Sequence, residues 1–240
     1  MHIIFNRCLL TSALMALLIS QDAVAATKKR VPVTANVALT TDYIWRGLTQ
    51  TSRNPAISGG FDYAHESGFY AGTWASNVEF GNNDNAESQE LEGYFGYTHK
   101  INDSLGVTLG YIYYDYPGAK ASNNYDFQEG VLSATYTQSD MSVTVGVNYS
   151  DNFWGGSGDA TFVNGSVSYN VDDHWSVSGS LGRQSIDNNA AFGAADYNVG
   201  TVSVTYAFDD VLSATAGLSK TDLSGESGDT NYLLTISASI

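Results

Sequence analysis

Glu90 and Glu92 stand two residues apart in a segment that alternates apolar and polar residues. An extended chain therefore carries both carboxyls on one face, about 7 Å apart. That separation is compatible with hydrolysis by paired carboxylates, although acidic residues lining a water-filled interior are the more ordinary reason for it and would favour cations over anions. Asp42 and Arg46 form a second constellation, within Thr41-Asp42-Tyr43-Ile44-Trp45-Arg46-Gly47-Leu48-Thr49-Gln50-Thr51. Four residues apart on a strand, they are separated by roughly 13 Å, so Arg46 needs partners from other strands. Asp62 is a further acid in phase with an inner face.

Serines are abundant, so a Ser–His nucleophile turns on the histidines. His65, His99 and His174 each sit at a short polar turn, and His2 belongs to the N-terminal leader. No catalytic residue is assigned on this pattern, and the chain is expected not to be an enzyme. The loop acids Asp84, Glu87, Asp151, Asp159, Asp187, Asp222, Glu226 and Asp229 lack the Asp-x-Asp-x-Asp-Gly calcium pattern. They read as solvated loops, open to divalent-bridged lipopolysaccharide, and no metal or cofactor is expected.

The elements that position these groups are strands. Residues 33–46 alternate Val33, Ala35, Val37, Leu39, Thr41, Tyr43 and Trp45 against Thr34, Asn36, Ala38, Thr40, Asp42, Ile44 and Arg46. Similar alternation recurs near residues 55–63, 69–80, 89–98, 105–116, 127–136, 141–149, 163–171, 175–182, 197–208, 212–218 and 232–240. About twelve strands result, and short connections alternate with longer ones. Outer-membrane barrels combine an even strand number with short periplasmic turns and longer extracellular loops. The expected fold class is thus all-β, a transmembrane antiparallel β-barrel.

A soluble β-sandwich also alternates. Against it stand strands of about 10 residues, the length of a tilted membrane crossing, and inner faces of Ser, Thr, Asn and Gly with little Lys. A closed barrel pairs every backbone group, as lipid requires. Tyr43, Trp45, Trp74, Tyr111, Tyr113, Tyr149 and Trp175 are the expected aromatic girdle at the lipid interfaces. Asp42, Arg46, Asp62, Glu90 and Glu92 are the expected lumen-lining residues.

Composition agrees with export to a membrane. The 240 residues include 24 Gly, 16 Tyr and only 3 Pro, and 25 Asp and Glu against 10 Lys and Arg give a net charge of −15. Nucleic acid is excluded as a partner, because phosphate binding needs basic groups. Residues 1–25 read as a signal peptide, with Arg7, an apolar run over 9–19 and Ala23-Val24-Ala25 as the cleavage site. Residues 26–240 are then one barrel domain. Its single cysteine, Cys8, lies in the leader.

The motif Asp42 to Gly47 with Thr49-Gln50-Thr51, followed by Pro55-Ala56, Gly59-Gly60-Phe61-Asp62-Tyr63 and the run 67–78, resembles the TorF-type porin family of Gram-negative outer membranes. The likeness covers residues 33–98. It implies an outer-membrane location and a barrel, with outer-membrane lipids, lipopolysaccharide and small solutes or ions as partners. The resulting expectation is a porin-like channel for passive diffusion, leaning towards cations. Its alternatives are a nonporous structural or adhesive barrel and, further off, a lipid-modifying enzyme. Neither the solute nor the oligomeric state follows from the pattern.

Overall fold

The computed structural model describes residues 33–80 and 87–240. The leader 1–25 and Asp84 lie outside the described residues. Among the described residues, fourteen strands follow one another: β1 (Val33–Thr40), β2 (Ile44–Trp45), β3 (Leu48–Thr49), β4 (Ala56–Ala64), β5 (Phe69–Asn77), β6 (Gln89–Lys100), β7 (Leu105–Asp115), β8 (Phe127–Gln138), β9 (Met141–Ser150), β10 (Ala160–Asn170), β11 (Trp175–Ile186), β12 (Tyr197–Ala207), β13 (Leu212–Thr221) and β14 (Asn231–Ser239). Twelve of them form a closed antiparallel barrel, in which β1 pairs with β4 on one side and β14 on the other. The remaining two, β2 and β3, pair only with each other.

Alternation decides which face each side chain takes. Leu39, Phe61, Phe95, Leu109, Leu132, Val145, Leu181, Val202 and Leu234 are exposed on the outer face. Their neighbours in sequence point inward. Toward one end the inner wall carries directly opposed hydroxyls that bond across strands, as in Thr98 with Thr108 at 2.9 Å, Ser178 with Ser203 at 2.7 Å and Thr205 with Thr215 at 2.8 Å. Such small side chains satisfy one another across the wall.

The short connections, residues 65–68, 101–104, 139–140, 171–174 and 208–211, all lie at that end. Three of them use one device, a side-chain carbonyl or carboxylate that accepts from the backbone two and three residues on. Asn102 accepts from Ser104 and Leu105 at 2.9 Å each, Asp172 from His174 and Trp175 at 2.8 Å each, and Asp209 from Val211 and Leu212. The two N–H groups bonded to the exposed Asp172 hold its carboxyl below the usual carboxylate range.

At the other end the connections are longer. Several of the acids there brace the loops: Asp151 accepts from Gln128, Asp159 from the Tyr149 hydroxyl and Asp229 from Arg53. Asp222 accepts from the Asn198 backbone N–H and side-chain amide, which lowers its carboxyl in the same way.

The first strand departs from its expected course. It stops at Thr40, not Arg46. Thr40 donates its hydroxyl to the Asp42 carbonyl, and Thr41 begins a bend that carries residues 41–55, here called loop 1, into the barrel. The main buried cluster, which holds Tyr43, Tyr114, Tyr116, Phe127 and Phe153, lies inside the wall at this end.

Candidate functional site

Loop 1 is built as a miniature hairpin. Ile44 pairs with Thr49 and Trp45 with Leu48, leaving Arg46 and Gly47 as the two turn residues. Both have positive φ, 48° and 87°, as a type I′ turn requires. A left-handed arginine costs roughly 1–2 kcal/mol, so something must hold Arg46 in place. Asp42 fastens the base of the hairpin, accepting the Thr49 hydroxyl at 2.6 Å and the Thr51 hydroxyl at 3.0 Å. It does not meet Arg46.

The hairpin lies across the lumen and touches most of the wall. Tyr43 packs edge-on against Trp74 of β5 and points its hydroxyl at Glu90 of β6, 3.3 Å away. Trp45 contacts Tyr114 of β7, Phe127 of β8 and Phe153 of the connection after β9. Arg46 donates to Glu129 of β8 at 2.6 Å and to Gln184 of β11 at 2.9 Å. Its guanidinium lies 4.2 Å from the Trp45 ring centre and 4.3 Å from that of Phe162 on β10, a two-sided cation–π arrangement. Gly47 fits against Val199 of β12 and Thr221 of β13, and its carbonyl accepts from Asn231 of β14 at 3.0 Å.

The wall residues that receive Arg46 are themselves fixed. Glu129 also accepts from the Tyr114 hydroxyl at 3.3 Å and the Asn148 amide at 3.0 Å. Gln184 is fully buried, and its amide nitrogen reaches the Thr161 and Ser185 carbonyls. Among the described residues, five acids are buried, Asp42, Glu87, Glu90, Glu92 and Glu129, against the single buried base Arg46. Glu92 is 6 % exposed, and one of its oxygens has no hydrogen-bond partner.

Asp42, Arg46, Glu90 and Glu92 are buried within the barrel, and Asp62 accepts the inward Tyr94 hydroxyl at 2.6 Å. Tyr94 reaches it by lying across Gly72, where a Cβ would collide with the ring. Tyr111, Tyr113, Tyr149 and Trp175 are on the outer face. Tyr43, Trp45 and Trp74, expected at the lipid interface, lie inside instead: Trp74 shares the inner face with Tyr70 and Ser76, and the bend at Thr41 redirects the other two. His65, His99 and His174 lie at the short-turn end, away from loop 1. Among the described residues, no three His, Cys, Asp or Glu side chains are grouped so as to hold a metal ion.

A family model described as a bacterial protein of unknown function (Gcw_chp) matches residues 24–235. The chain belongs to the Gcw_chp family. No curated protein matches its sequence. Solved structures do match this Gcw_chp barrel. The KdgM porin, determined in complex with disordered oligogalacturonate, superposes with a TM-score of 0.61 at 11% identity, over 87% of this chain and 98% of that one. The NanC porin gives 0.56 at 9% identity, over 86% and 97%. LpxR from Salmonella typhimurium gives 0.50 at 8% identity, over 86% and 99%. At such identities the likeness establishes a shared fold, that of closed outer-membrane barrels.

Glu129, Gln184, Phe162 and Tyr114 are the wall residues that sequence reasoning missed. Their signal was phase: Glu129 is odd where the outward Leu132 is even, and Gln184 continues the inward series Ser176, Ser178, Ser180 and Gly182.

Proposed function

We propose that this protein is a porin-like channel of the bacterial outer membrane for passive diffusion of small solutes or ions, leaning towards cations and closed at its long-loop end by loop 1. In this reading the long loops face outward, the short turns face the periplasm, and Tyr111, Tyr113, Tyr149 and Trp175 contact lipid near the interfaces. The TorF-type resemblance of residues 33–98 points the same way. The observation that carries the reading is the acidic interior of a closed barrel, where Asp42, Glu90, Glu92 and Glu129 are buried beside Arg46, the single buried base among the described residues. Carboxylates lining a lumen favour cations.

In planar bilayers under a salt gradient, the refolded chain is expected to show a cation-selective reversal potential. Arg46→Glu should raise both conductance and cation preference. If it changes neither, the selectivity reading fails. A nonporous barrel is the competing reading, and one observation favours it: loop 1 reaches β5 through β8 and β10 through β14. Single-channel recording separates the two.

Membrane insertion has its own test. Leu109 is 65% exposed near the middle of β7. A lipid-facing arginine near the bilayer midplane costs about 2–4 kcal/mol, so Leu109→Arg should lower stability by that amount in urea titrations in lipid vesicles. On a water-facing surface the same change would be nearly neutral, within about 0.5 kcal/mol.

A further inference from the structure

The Arg46 pocket has an unusual division of labour. Every group that receives the guanidinium, apart from Trp45, stands on the barrel wall: Glu129, Gln184 and Phe162. The occupant stands on a hairpin that is not part of the barrel sheet. The receiving groups have partners besides Arg46, because Glu129 also accepts from Tyr114 and Asn148 while the Gln184 amide nitrogen donates to two backbone carbonyls. Tyr197 packs with Phe162 in the same cluster, is fully buried, and has a hydroxyl with no hydrogen-bond partner. A spare polar group thus adjoins a preformed carboxylate, an amide oxygen and an aromatic face.

These features suit one chemical class. A carboxylate and a second oxygen acceptor match a planar fork of N–H donors better than they match a compact ammonium, and the Phe162 face suits a flat, weakly hydrated cation. We infer that the wall groups Glu129, Gln184 and Phe162 form a binding site for guanidinium-bearing small cations, which Arg46 occupies in the closed barrel and a solute of that class displaces. This inference rests on the channel reading for its consequence, the opening of the lumen. The binding site itself does not.

Displacement need not demand tight binding. A tethered group competes at an effective concentration in the millimolar range when its linker is flexible. A structured hairpin raises that figure, while the strained arginine backbone lowers the advantage of the docked state.

The test uses the full chain refolded in bilayers, with methylguanidinium as probe and methylammonium as control at constant ionic strength. Calorimetric titration of Arg46→Ala should show methylguanidinium binding at least ten-fold more tightly than methylammonium. Adding Gln184→Leu should erase that preference while heat-modifiable gel migration shows the barrel intact. In the wild-type chain, methylguanidinium should raise the mean current several-fold and methylammonium should not. Equal binding of the two cations to folded Arg46→Ala overturns the inference, even if current flows. Preferential binding to Arg46→Ala without any response of the wild-type current overturns the assignment of a displacing solute. If the preference is present but no variant conducts, the channel reading fails and the binding site stands.

Discussion

Gly47→Val is expected to undock loop 1 and raise the mean single-channel current several-fold. Gly47 sits at φ 87°, and a Cβ there would lie 2.6 Å from Thr221 Cγ2 and 2.7 Å from Val199 Cγ2. Both obstacles are β-branched side chains on the wall, with little rotameric freedom to withdraw. The left-handed backbone costs roughly 1–2 kcal/mol for a residue with a Cβ, and overpacking a filled site adds about 1–3 kcal/mol. Every tenfold change in docking equilibrium takes about 1.4 kcal/mol, so the docking equilibrium constant should fall by more than an order of magnitude. Hydrogen exchange over residues 41–55 measures the undocking independently of current. Gly193→Ala is the matched control, because Gly193 has φ 86° with open space around its Cβ position. It should show backbone strain without a change in current. If Gly47→Val undocks the loop and the current stays at baseline, the lumen is blocked elsewhere and the nonporous reading takes over.

Most of the barrel was legible because alternation with period two is a direct consequence of strand geometry. From β6 to β14, strand positions inferred from alternation agree with those observed to within a few residues at either end. The failure came at the motif that looked most informative. Residues 41–46 continue the alternation of β1, and periodicity alone cannot distinguish a strand that goes on from one that bends and resumes as a hairpin. The discriminating signal was Arg46-Gly47, a two-residue turn with glycine second, but arginine in place of the usual Asn or Asp concealed it. Its left-handed conformation is stabilised by Glu129 and Gln184, 83 and 138 residues away in sequence. Such tertiary partners cannot be read locally. The same bend explains why Tyr43 and Trp45 are not at the lipid interface: aromatic residues near a strand end suit a membrane girdle and a plug equally well, and only the chain path decides between them.

The path also changes what the acids mean. Glu90 and Glu92 share a face, as their spacing requires, yet Tyr43 covers Glu90 and the pair is nearly dry. Paired-carboxylate hydrolysis needs a substrate and a water between the groups, and the hairpin lies where these would enter. With loop 1 docked, Glu90 receives the Tyr43 hydroxyl. On the proposed channel reading, displacing the loop would leave both carboxyls lining the lumen.

Glu129→Gln should produce the largest loss of docking stability among single wall substitutions. It leaves the Arg46 guanidinium buried with no carboxylate bonded to it, and removing one partner of a buried ion pair costs about 3–5 kcal/mol. Exchange protection over residues 41–55 should fall accordingly, by roughly two to four orders of magnitude at about 1.4 kcal/mol per tenfold change. The barrel strands should keep theirs, since the hydrogen-bonded sheet does not run through the hairpin. A second variant separates the worth of the pair from the harm of breaking it. Replacing a buried pair by apolar residues of similar volume is often neutral or stabilising by about 1–4 kcal/mol, so Glu129→Leu combined with Arg46→Met should recover most of the protection. It should not recover displacement by methylguanidinium, because the carboxylate is gone. Recovery of protection without recovery of the response would show that the ion pair exists for recognition and release more than for stability. If the double variant instead remains as open as Glu129→Gln, the pair is needed to dock the loop and the plug is held chiefly by charge.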